Sequence, residues 1–250
     1  MSNENREKKD FELHSLQNIL GVTANSAPYL EKLSTEDLSL LKNQILSTIQ
    51  DGQKDIFITI AKVSRFMPNF LNAKVSMDIL GPIIAANLSY YLSAKEAIAI
   101  ASHFSTKFFA DVVEHLVPEK ISEMISLTPF DQMRKVVNEL ILRGNFFIIG
   151  SLIDYTPLSS VEKIAKAIPN PEHLIMITYN CQDKGRVLNL FQNFGEQKVR
   201  EVVQMGVKDE LYAQFKSIYE HANATLIEFT RLALKDEPND LLKFDKMIQD

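Results

Sequence analysis

Apolar residues recur along this chain at spacings of three and four, in short runs that open in a common way. The openings read Leu33-Ser34-Thr35-Glu36, Leu92-Ser93-Ala94-Lys95-Glu96, Leu116-Val117-Pro118-Glu119, Leu127-Thr128-Pro129-Phe130-Asp131 and Tyr155-Thr156-Pro157. Each sets an apolar residue before a capping residue or a first-turn proline, where the missing N–H costs nothing. Ser93 with Glu96 matches a capping box. The pattern predicts consecutive short helices over 11–20, 34–51, 56–70, 77–92, 93–104, 108–116, 118–127 and 129–142. Further helices are expected over 145–153, 157–168, 172–181, 187–194 and 198–205, with Gly21, Pro68 and Pro169-Asn170-Pro171 as breaks.

Aligning Phe109 with Phe147 sets Val117-Pro118 against Thr156-Pro157, an offset of 38 to 39 residues that suits a helix-pair repeat. The last run differs. From Asp209 to Lys235 no breaker is evident, and Leu211, Phe215, Ile218, Ala222, Thr225, Phe229 and Leu232 step by four and three in a heptad seam. That predicts one long helix, 209–235, either capping the stack or pairing two copies into a homodimer. Residues 1–10 carry six charges and read as a mobile tail, and 236–250, with five acids and Pro238, as an acidic tail. The expected architecture is all-α, a single helical-repeat domain over 11–235.

Composition narrows the function. The 250 residues include no Trp and 15 Phe, so Phe, Leu and Ile must fill the core. Net charge is −5 with no long basic run, which excludes the footprint of a nucleic-acid binder. A lone cysteine, Cys181, fits a reducing compartment. The most apolar stretches, 79–92 and 146–153, are shorter than the ~20 residues of a membrane span, so a cytoplasmic protein without a span is expected.

Catalytic signatures are missing: the sequence holds neither a Walker loop nor Gly-x-Gly-x-x-Gly nor Gly-x-Ser-x-Gly. Asp111 and His115 lie four apart on one helical face, and His103 is within reach from the preceding helix. A surface Asp–His pair is the plain reading, and a three-ligand metal set the rival. His173 and Cys181 are about 12 Å apart along one helix, too far for a thiol–imidazole pair. The aromatic doublets Tyr90-Tyr91, Phe108-Phe109 and Phe146-Phe147 are more telling, because neighbours diverge by ~100° on a helix. One ring of each doublet must leave the buried face. Tyr90, Tyr91, Phe108 and Phe146 are therefore the candidate contacts for a partner or ligand.

The run Ala110-Asp111-Val112-Val113-Glu114-His115-Leu116-Val117-Pro118-Glu119-Lys120-Ile121 resembles the repeated unit of the cytoplasmic N-terminal domain of MgtE-type magnesium transporters. There, Ala-Asp-x-x-x-x-Leu precedes x-Pro-Glu and a further apolar helix. The flagellar motor switch protein's middle region is built similarly. Arg143-Gly144-Asn145-Phe146 is similar to a segment of stand-alone bacterial proteins with such repeats. The likeness spans 77–205 and implies a right-handed superhelical stack of short helix pairs serving as a protein-binding or regulatory surface. It implies neither transport nor magnesium sensing, since Asp111 and Glu114 are too few for the sensing clusters. The expectation is a non-enzymatic interaction module with a protein partner and no cofactor. The alternative is a lipid or acyl binder using the Phe-rich interior of 79–153.

Overall fold

A computed structural model describes residues 3–22, 26–208 and 210–249. The fold is all-helical, with no strand among the described residues. It divides into two compact units, residues 1–132 and 133–250.

The first unit carries α1 (Asn3–Leu20), α2 (Thr35–Gly52), α3 (Lys54–Ser64), α4 (Asn69–Val75), a π-helical turn (Ser76–Leu80), α5 (Gly81–Ser89), α6 (Ala94–Ala101), α7 (Thr106–Glu114) and α8 (Ser122–Leu127). The unit boundary falls within α9 (Phe130–Leu142). The second unit continues with α10 (Phe146–Ile153), α11 (Leu158–Ala167), α12 (Pro171–Tyr179), α13 (Lys184–Leu188), α14 (Glu196–Gly206), α15 (Tyr212–Tyr219), α16 (Ala224–Ala233) and α17 (Pro238–Gln249).

Side-chain caps set many of these boundaries. Ser34 accepts from the Asp37 N–H, Ser105 from Phe108, Asn170 from Glu172 and Asp183 from Arg186. The capping box forms as expected, Ser93 N–H donating to the Glu96 carboxylate at 2.9 Å and Glu96 N–H to the Ser93 hydroxyl at 3.3 Å. These bonds hold the Glu96 carboxyl below its ordinary range.

Within each unit a helix packs on the helix two places along: α3 on α5, α4 on α6, α5 on α7 and α6 on α8, then α10 on α12, α12 on α14 and α14 on α16. The spacing is regular. Starts at Asn69, Ala94 and Ser122 lie 25 and 28 residues apart, and starts at Phe146, Pro171, Glu196 and Ala224 lie 25, 25 and 28 apart. The 38-to-39-residue register is therefore replaced by a shorter one, because Phe109 on α7 and Phe147 on α10 are three helices apart.

Long side chains reinforce this register by donating to carbonyls at or just beyond the C-terminal ends of other helices. Arg186 donates to the carbonyls of Ile153, Asp154 and Thr156 at 2.9, 3.0 and 2.7 Å. Lys198 donates to Ile168 and Pro169 at 2.9 and 3.0 Å, and Arg200 donates to Ala233 at 3.1 Å. In the first unit Gln132 donates to Ala101 at 2.8 Å. The Asp154 carboxylate answers Arg186 by accepting from the Gln182 and Asp183 N–H groups at 3.0 and 3.1 Å, although burial raises its carboxyl on balance.

Three terminal expectations are corrected. Residues 3–10 form the first half of α1, whose Glu and Lys residues are good helix formers, and a Glu12–Lys42 ion pair at 2.8 Å ties α1 to α2. Residues 1 and 2 lie outside the described part. The expected 209–235 helix is two helices, because Asn223 caps α16 by accepting from Leu226 N–H at 2.8 Å; Asp209 is outside the described residues. The proposed seam is split accordingly. Leu211, Phe215 and Ile218 are buried in their own unit, Phe229 is half-buried, and Leu232 is 54% exposed, so no continuous face remains for a homodimer. The acidic tail is α17, which starts on Pro238 and buries Phe244 and Met247. The Phe244 ring meets Tyr219 edge-on at 5.2 Å, and Asp245 pairs with Arg231 at 2.8 Å.

Two predictions follow from this packing. A Cβ on Gly206 would stand 2.3 Å from the buried Phe215 ring, so Gly206→Ala should cost about 1 to 3 kcal/mol in chemical denaturation. Arg186→Ala should cost about 2 to 3 kcal/mol, with Lys restoring only part, since an ammonium lacks the planar fork.

Candidate functional site

The four aromatic candidates are taken up by the chain's own packing. The Tyr90 hydroxyl accepts from Val117 N–H at 2.7 Å, and Lys120 lies over its ring at 5.7 Å. Tyr91 stacks on the buried Phe57 at 5.6 Å. Phe108 meets Phe104 edge-on at 4.9 Å, and Phe146 lies 5.6 Å from the His173 ring. All four are half-buried. The doublet geometry holds, but the outward ring of each pair finds its neighbour in the same unit.

His103 and His115 are exposed, and no group of three His, Cys, Asp or Glu side chains fit to hold a metal occurs among the described residues. His103, Asp111 and His115 are thus not assembled into a ligand set. Cys181 is fully buried, its thiol donating to the Ile177 carbonyl at 3.4 Å. Burial pushes that thiol up, away from the thiolate that nucleophilic chemistry needs. A cavity in the second unit, between Leu174, Phe191, Val202 and Tyr219, measures about 10 Å³, enough for one water at most and far too small for an acyl chain.

The surface that stands out lies elsewhere. Eight of the eighteen exposed large apolar side chains among the described residues fall within residues 56–84. Ile56 and Val63 lie on α3, Phe66 in the turn after it, and Phe70 and Leu71 on α4. Ile79 belongs to the π turn, and Ile83 and Ile84 to α5. Phe66 is 90% exposed and Ile79 75%. In the second unit Leu142 and Leu242 are scattered singly, as on any soluble protein. No other stretch of similar length among the described residues exposes as many large apolar side chains.

The local sequence explains why this belt faces outward. On α3 the small core is Phe57 and Ala61, packed with Leu88 of α5 and joined by Ile60, Leu80, Tyr91 and Leu92. Ile56, Ile60 and Val63 step by four and three, forming a second apolar stripe along one flank of that buried face. Ile84 lies one turn before the buried Leu88, so α5 also carries an exposed apolar residue next to a buried one. Across the break, Gly81 N–H donates to the Ser76 carbonyl, closing a π turn, and Gly81 adopts φ +75°, which a side chain would resist.

The belt is flanked by cations. Lys54, Lys62, Arg65 and Lys74 are exposed, against two acids, Asp55 and Asp78. Arg65 pairs with Glu96 at 3.2 Å, whereas Lys54, Lys62 and Lys74 have no ion-pair partner among the described residues. No described helix is long and apolar enough to cross a membrane.

Comparison with protein-family models, curated proteins and solved structures finds no match to this chain.

The Tyr90 contact yields a pH prediction. Burial pushes its phenol up to about 12, and Tyr219 also to about 12. An unfolded tyrosine ionises near ~10, so stability complete below that pH is lost as pH rises toward 12. Tyr90→Phe should remove its share of that alkaline loss and, by orphaning the Val117 N–H, cost about 1 kcal/mol at neutral pH. Denaturation midpoints measured from pH 8 to 12 check both effects.

Proposed function

We propose that this chain is a non-enzymatic protein-interaction or regulatory module of helical-repeat type, and that residues 56–84 are its contact surface. The observation that carries the reading is the apolar belt, displayed on helices whose other faces are packed. A folded domain gains nothing in stability from holding Phe66 and Ile79 in water, while a partner covering them would release that cost.

The 25-to-28-residue spacing and the packing of each helix on its second neighbour support reading the units as stacked helix pairs, the arrangement the MgtE-type resemblance implies. On that reading the module belongs to a right-handed superhelix working in the cytoplasm. The displaced aromatics Tyr90, Phe108 and Phe146 then hold the stack together rather than the partner.

The test pairs a surface variant with a packing variant. Phe66→Asp/Ile79→Asp should fold within about 0.5 kcal/mol of wild type, since both sites are exposed. Native mass spectrometry of protein purified from its own host should show a stoichiometric partner on the wild type and none on this variant. Phe108→Ala should keep the partner and lose stability. A partner retained by Phe66→Asp/Ile79→Asp would remove the belt from the interface.

A further inference from the structure

We infer that the occupant of the belt is an acidic amphipathic helix of a partner protein, laid along the junction of α3 and α5. The inference rests on the belt being a protein-contact surface and adds the chemistry of what it contacts.

Shape comes first. α3 and α5 pack through Phe57, Ala61 and Leu88, and both helices also expose large apolar side chains, Ile56 and Val63 on α3 and Ile83 and Ile84 on α5. Two packed helices with apolar flanks leave a trough between them. A third helix fills such a trough with anchors at i, i+3, i+4 and i+7, whereas a strand would need a free sheet edge, and no strand occurs among the described residues.

Charge decides the sign. Residues 54–84 hold four cations and two acids in a chain of net −5, so the remainder carries −7. The belt is a basic island on an acidic protein. Lys54, Lys62 and Lys74 are its unpaired cations, placed to meet carboxylates on the polar flanks of a docked helix.

The same arithmetic disfavours the other occupants. A second copy docked belt to belt would oppose two surfaces of like charge. An anionic bilayer would meet the acidic remainder as well as the island, and the belt holds neither Trp nor Tyr, the residues that anchor a protein at a membrane surface.

The test is photo-crosslinking of the full chain in its own host cells. Benzoylphenylalanine replaces Phe66 in one strain and Ile79 in another, and mass spectrometry sequences the attached peptide. The expected product is a peptide in which acids outnumber bases and apolar residues recur at spacings of three and four. Lys62→Glu/Lys74→Glu should lower the crosslink yield about tenfold while the circular-dichroism melting curve stays in place. A basic or neutral peptide, or an adduct with a second copy of this chain, overturns the acidic-helix inference and leaves the protein-contact reading standing. An adduct with lipid, or no adduct at either position, overturns both.

Discussion

A helix of ten residues or fewer leaves about as many backbone groups without partners at its ends as it satisfies along its length, and eleven of the seventeen α-helices among the described residues are that short. The carbonyls at their C-terminal ends must find donors. Here the donors come from further along the chain: Arg186 reaches Ile153, Asp154 and Thr156, Lys198 reaches Ile168 and Pro169, and Gln132 reaches Ala101, at sequence separations of 29 to 33 residues. Packing between second neighbours alone would tolerate a helix sliding by a turn. A guanidinium fitted to three carbonyls does not, so these side chains hold the register while the apolar faces supply the bulk of the stabilisation.

That division of labour explains the glycines that matter. Gly150 brings α10 so close to the start of the next connection that a Cβ would stand 2.6 Å from the Asn180 carbonyl, and Gly206 does the same for the Phe215 ring. The buried Tyr219 lies at the centre of the C-terminal end, touching Phe215 at 4.7 Å and Phe244 at 5.2 Å while its hydroxyl meets Thr230 at 3.0 Å. α17 is thus a packed element, and its half-buried acids are bonded to the unit, Asp240 accepting from Gln204 at 3.0 Å and Asp245 pairing with Arg231.

Much of this was legible before the structure. The Ser34 and Ser93 caps and the helices after Pro157 and Pro171 follow from local chemistry, which a sequence displays directly. Elsewhere apolar periodicity runs on through a capping residue and hides the break. The four-three steps from Leu211 to Leu232 look like one helix, yet Asn223 is a strong cap and ends that reading. In 236–250 the acids hid Phe244 and Met247, two apolar residues three apart that suffice to dock a short helix. The belt is hidden in the sequence for the opposite reason. Apolar residues on two flanks of α3 blur its periodicity, and a blurred helix reads as weak rather than as one with two jobs. The aromatic doublets show what sequence cannot supply, since whether an outward ring meets a partner or its own chain depends on contacts such as Tyr90 with Val117, 27 residues away.

On the proposed reading the chain packs its aromatic doublets against itself and leaves 56–84 uncovered for a partner. Hydroxyl-radical footprinting of the purified monomer reads this side chain by side chain. Phe66 and Phe70 should be oxidised at close to the rates of the same residues in unfolded chain, while Phe57, Phe109 and Phe215 stay protected. Protection of Phe66 and Phe70 in the monomer would contradict the account, because the chain itself would then be covering the surface assigned to its partner.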